Sequence, residues 1–177
     1  MTKKILALGA SNSRNSINKQ LANFAATQVN NAEVNLLDLN DFEMPIYGID
    51  KENESGIPQL AHDFKQQIID ADAIIMACSL NDTSRHMINA DIMPSLKKDV
   101  VIINGARGPL VEQSSLLAFL KTNELAYAYL DVFEKEPFDS ADFENMANVG
   151  LTSHIAGVHE CLDDGILNFV AEKIRSL

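Results

Sequence analysis

Three residues in the second half of the chain carry recognisable chemistry: Arg107 in "VIINGARGPL", Glu136 in "LDVFEKEP" and His154 in "LTSHIAG". Each lies in or after a strand-like run. An arginine, a glutamate and a histidine on successive strand ends suit a hydride-transfer site for a 2-hydroxy acid. A lone histidine after a strand is more often structural, but this company shifts the reading toward a derived active site. His62, His86 and His159 have no ligand partners at useful spacing, so they read as surface or packing residues and no metal site is expected.

Such a site needs a dinucleotide fold in front of it, with its glycine fingerprint. The chain instead offers "GASNSRNSIN", Gly9 to Asn18, between its first strand and first helix. It has one glycine where GxGxxG needs three, and it is not GxxxxGK[ST]. Its position is still the one where doubly wound sheets bind anions, at a helix N-terminus. Ser11, Ser13 and Ser16 can donate hydroxyls, Asn18 an amide and Arg14 a charged fork. A Ser/Asn-rich helix cap that binds nothing accounts for the same letters, and the residues alone leave the two open.

The elements that must hold these groups alternate along the chain. "KKILALGAS" reads as a strand, "NKQLANFAATQV" as a helix and "AEVNLLDL" as a strand. An acidic loop, "NDFEMPIYGIDKENESGIPQ", follows. Then come helix "QLAHDFKQQIIDA", strand "DAIIMACS", helix "INADIMPSL", strand "DVVIING", helix "SSLLAFLKTN", strands "AYAYLDVF" and "VGLTSH", and a closing helix. About six strands separated by helices imply right-handed crossovers and a mostly parallel sheet covered on both faces. At 177 residues and 46% hydrophobic, the chain can bury one sizeable core. A net charge of −11 argues against nucleic acid or an anionic membrane as partner. Two cysteines, no signal peptide and no spanning segment make the cytoplasm the expected location.

Two resemblances follow from these motifs. Residues 1–77 resemble flavodoxin-like NAD(P)H-dependent FMN reductases, through the front loop, the second strand, the "MPIY" turn and the third strand in order. That resemblance implies that Ser11, Ser13, Arg14, Ser16, Ile17 and Asn18 wrap an FMN phosphate. The loop that packs against the flavin ring in that family is replaced here by "CSLNDTSRHMINADIMPSL", with Asn81 its one echo. Residues 78–177 resemble the C-terminal half of the NAD-binding domain of D-2-hydroxyacid dehydrogenases. There the resemblance implies that Arg107 grips the substrate carboxylate, His154 exchanges the hydroxyl proton and Glu136 orients that histidine. Asp131, in "LDVF", would lie near the nicotinamide.

The dehydrogenase fingerprint, its ribose-binding acid and its separate substrate domain are not found in the sequence, so a hydride donor has no recognised seat. Near-attack positioning is worth roughly 7–11 kcal/mol of barrier, and a triad without it should be close to inert. The expectation is therefore a single hybrid domain over 1–177, with a fragment seam near 73–80. Its fold would be α/β, a three-layer doubly wound parallel sheet in flavodoxin-like order 2-1-3-4-5 with a possible sixth strand. The functional expectation is a designed chimera without evolved catalytic activity. Arg107, Glu136 and His154 would be vestigial, and Asp131 a vestige of the nicotinamide side. Weak binding of FMN or a phosphate anion at the front loop is the most it would do, NAD(P) is not expected, and a homodimer is allowed. The alternative is an FMN-dependent NAD(P)H oxidoreductase of the flavin or quinone reductase type.

Overall fold

The computed structural model describes residues 2–9, 13–46, 48–82 and 84–155. Six parallel strands form one sheet in the order β2-β1-β3-β4-β5-β6. They are β1 (Lys3–Leu8), β2 (Ala32–Leu37), β3 (Ala73–Met76), β4 (Val101–Asn104), β5 (Tyr127–Leu130) and β6 (Val149–Leu151). The expected order holds, and the sixth strand is present. The closing helix expected near the C-terminus lies outside the described residues.

Composition explains which strands are central. All four residues of β3 (AIIM) and of β4 (VIIN) are buried, as continuous apolar runs should be when both sheet faces are covered. Edge strand β2 instead alternates half-buried and exposed residues until Leu37. Alternate side chains separate into two cores, one on each face. Ile5, Ala7, Ala73, Ile75, Val101 and Ile103 meet Ala22, Ala25 and Ala26 of α1 (Ile17–Thr27). Leu6, Leu8, Ile74, Met76 and Ile102 lie on the other side, in a larger core with Ile68 of α3 (Gln59–Ile69) and Leu116, Phe119 and Leu120 of α4 (Gln113–Thr122).

The small alanine face of α1 lets it sit low over the sheet. Gly9 completes that approach, because a Cβ there would stand 2.5 Å from the Lys19 backbone. Ser16 caps the helix, its Oγ accepting from the Lys19 N–H at 3.3 Å.

Two local expectations fail. The acidic loop contains a short 3-10 turn (Leu39–Phe42) and helix α2 (Ile49–Ser55), which ends at Gly56 with φ +73. Conversely "INADIMPSL" is not an α-helix: only Met93–Ser95 form a 3-10 turn. Pro94 has no N–H to give an α-helical bond, and Asn89 Oδ1 accepts from Asp91 N and Ile92 N, an alternative local turn.

Candidate active site

The carboxyl ends of the parallel strands carry the chemistry. β4 ends in Asn104, a polar residue only 1% exposed. Its Nδ2 donates to the Arg107 carbonyl at 2.9 Å, and its Oδ1 accepts from Ala106 N at 3.2 Å. Asn104 therefore folds the turn that presents Arg107. The next residue, Gly108, lies against the following strand end: a Cβ there would stand 1.8 Å from the Phe133 carbonyl oxygen. No side chain fits. Sequence reasoning missed Asn104, although a polar residue closing the apolar run "VII" was the available signal.

Glu136 and His154 form a pair. His154 Nδ1 lies 2.7 Å from Glu136 Oε2, while Glu136 Oε1 accepts from Phe133 N at 3.0 Å. The hydrogen bond to His154 holds the Glu136 carboxyl below its ordinary value, helped by Phe133 N and by the charges of His154 and Arg107. Arg107 is thus near enough for Glu136 to feel its charge, and the three residues share one corner of the molecule.

His154 is held in the left-handed region at φ 54, a conformation that costs a non-glycine residue roughly 1–2 kcal/mol. Buried Asp131 offsets that cost. Its carbonyl accepts from His154 N at 2.8 Å, and its Oδ1 accepts from Thr152 Oγ1 at 2.5 Å and from Ile155 N at 3.0 Å. In this structure Asp131 organises the 152–155 turn and so aims the imidazole.

Beside this corner lies an open cleft of about 440 Å³. Asn18, Leu21 and Ala25 of α1 form one wall, residues 75–80 the floor, and Gly105 to Arg107 the other wall. It opens at the carboxyl ends of β3 and β4, facing α1, on the edge of the sheet where α/β proteins bind nucleotides. Cys78, buried in its floor, has its thiol pushed up by desolvation, as suits an inert sulfhydryl.

Of the front-loop residues, Asn18 lines the cleft, Ser16 is spent partly on the cap, and Ile17 is exposed. Ser13 contributes its carbonyl to a turn, accepting from Ser16 N at 3.2 Å. Arg14 is exposed, and Ser11 lies outside the described residues.

An acid that the sequence reading had not found stands at the end of β2. Asp38 Oδ2 pairs with Lys19 Nζ, and Oδ1 accepts from Asn40 N at 3.0 Å and Asn40 Nδ2 at 2.8 Å. Lys19 foremost, and then Asn40, lower its carboxyl from 3.8 to about 2. His86 Nε2 lies 2.6 Å from Glu134 Oε1, a pairing that the sequence does not announce. His159 lies outside the described residues. No metal-ligand cluster occurs among the described residues. None of their helices is long and apolar enough to cross a membrane.

Comparison with known proteins places most of the chain in one family. The family described as D-isomer specific 2-hydroxyacid dehydrogenase, NAD binding domain, matches residues 33–156. A glycerate dehydrogenase of Cucumis sativus is 31% identical over 102 residues, which are 58% of this chain and 27% of that protein. A glyoxylate reductase of Pyrococcus horikoshii is 33% identical over 105 residues, 59% of this chain and 31% of that protein. The chain thus spans about a third of the length of these curated relatives. Among solved structures, apo D-mandelate dehydrogenase of Rhodotorula graminis superposes with a TM-score of 0.65 at 24% identity, covering 97% of this chain and 47% of that one. At that identity the likeness concerns the fold.

These findings overturn the functional expectation. A chimera joined near 73–80, lacking evolved activity, does not fit a single family that runs across the seam and takes in residues 33–77. The same match removes the FMN site and the flavin or quinone reductase alternative, and it replaces the exclusion of NAD(P) with an NAD-binding family. The error has a physical source. A strand, an anion-facing turn and a helix occupy the same place in flavin and dinucleotide folds, so a loop with one glycine does not separate them.

Proposed function

The chain belongs to the D-isomer specific 2-hydroxyacid dehydrogenase family through its NAD-binding domain, and on that premise we propose that it binds NAD for oxidoreduction of a small 2-hydroxy acid. The observation that carries this reading is the Glu136–His154 pair, whose carboxylate feels the charge of Arg107, a residue of the cleft wall.

The residues present fit the cofactor. The cleft lies at the carboxyl ends of β3 and β4, Asp38 ends β2 where an acid can accept from a ribose hydroxyl, and the N-terminus of α1 offers N–H groups to a pyrophosphate. Bound NAD supplies or takes up the hydride.

The protein's own groups do the rest. Arg107 presents a planar fork that grips the substrate carboxylate. His154 takes the hydroxyl proton during oxidation and returns it to the carbonyl oxygen during reduction. Glu136, held ionised by its partners, accepts from Nδ1–H and stabilises the imidazolium, which leaves Nε2 to face the substrate. Asp131 fixes the turn on which that ring stands.

Titration of the purified protein with NADH, followed by nicotinamide fluorescence, tests the binding half. Saturable binding is expected, and its absence at millimolar NADH would overturn the reading. NADH oxidation on adding glyoxylate or another small 2-oxo acid tests the chemistry. Arg107→Lys should lower that turnover roughly 100-fold, because a point charge replaces the fork that grips the substrate carboxylate.

A further inference from the structure

One turn, residues 133–136, supplies carboxylates to two histidines arriving from different parts of the chain. Glu136 reaches His154, which follows β6, and Glu134 reaches His86, in the β3–β4 connection. Both histidines sit in the left-handed region, at φ 51 for His86 and φ 54 for His154. Non-glycine residues persist there when their surroundings over-determine them.

His86 is fastened at both ends. Its N–H donates to the Pro109 carbonyl at 2.8 Å, two residues from Arg107. Its ring holds Glu134 at 2.6 Å, and the other oxygen of Glu134 accepts from Gln113 N at 3.1 Å. The β3–β4 connection, the Arg107–Gln113 segment and the 133–136 turn therefore meet at one side chain. Gly108, seated against the Phe133 carbonyl, leaves no slack between the last two.

We propose that His86 is a positioning residue for the site described above: through Glu134 it fixes the turn that aims Glu136 at His154 and holds that turn against the Arg107 segment. The proposal builds on the dehydrogenase reading only in calling that corner the active site. The coupling runs through the turn itself. Glu136 curls back to accept from Phe133 N at 3.0 Å, so its carboxylate follows any movement of residues 133 and 134. The charged groups around His86 are Glu134 and, at longer range, Glu112; those around Glu136 are His154 and Arg107.

The test needs no cofactor. The Glu136 side-chain carboxyl is followed by carbon NMR against pH in the full chain, with Glu136→Gln used to assign the signal. In His86→Ala the Glu136 midpoint should move up toward that of an ordinary glutamate, and Phe133 N–H should lose protection from exchange. His86→Gln, which keeps a donor for Glu134 on a side chain that is neutral at every pH, should retain most of the wild-type midpoint. If His86→Ala does not fold, His86→Phe fills the ring's volume without a donor and takes its place. A midpoint unchanged in the donorless variant would overturn the proposal. So would His86→Gln behaving like the donorless variant, since that result would assign the effect to charge alone. Because no dinucleotide enters the experiment, its failure is distinct from a failure to bind NADH.

Discussion

Single residues in this protein divide into those whose chemistry shows in their type and those whose chemistry depends on a neighbour. Arg107, Glu136 and His154 belong to the first group. Asp38 belongs to the second, because nothing in "LLDLN" announces that Lys19, from the preceding helix, will meet it. That pairing has a measurable acid signature. Asp38 has a folded-state value of about 2 against an ordinary 3.8, so it favours the folded state fully above pH 3.8. The contribution is lost as pH falls from there through about 2. Lys19→Met should bring the folded value back toward 3.8 and shrink this loss. Urea midpoints measured between pH 2 and 5 would check it, and identical pH profiles for the two proteins would contradict the pairing.

At the level of elements, the site is a set of strand ends locked to one another. β4 delivers Arg107 through the Asn104 turn, β5 delivers Asp131 and the 133–136 turn, and β6 delivers His154. Gly108 is where the first two deliveries touch. Gly108→Ala must push the Arg107 segment off Phe133, at a cost of about 1–3 kcal/mol for overpacking. For a domain of this length that lowers the thermal midpoint by roughly 2–10 °C. Circular dichroism melts would show it, and a melt matching wild type would mean the two segments do not touch. Elements were legible in the sequence where hydrophobic period and length agreed, as for α3, α4, β3 and β4. They were misread where local side-chain bonding decides. "INADIMPSL" has helix-like apolar spacing, yet Asn89 and Pro94 turn it into a chain of turns that ends in a 3-10 segment.

At the scale of the molecule, ligand linkage separates the corrected reading from the one it replaces. A ligand present at 100 times its Kd raises stability by about 2.7 kcal/mol if it binds the folded state alone. Saturating NADH should therefore raise the melting midpoint by roughly 5–10 °C. FMN at equal concentration should leave it where it was. The reverse pattern in differential scanning fluorimetry would restore the flavin assignment. The global acidity is compatible with an anionic cofactor, because α1 presents its N–H groups locally while the charge of −11 is spread over the whole sequence.

The sequence by itself determined the alternation of strands and helices and the parallel six-stranded sheet, and it drew attention to Arg107, Glu136 and His154 by their types. Those are properties of hydrophobic period and side-chain type, and both are local. Only the tertiary structure brought Asn18 and Arg107 to one cleft, Lys19 to Asp38, and His86 and His154 to alternate glutamates of one turn. Each of those meetings spans 18 to 89 positions of chain, and no periodicity carries information over that distance. The front loop was misassigned for the same reason. Its letters fit an anion-binding loop and a plain helix cap alike, and a single glycine does not separate flavin folds from dinucleotide folds.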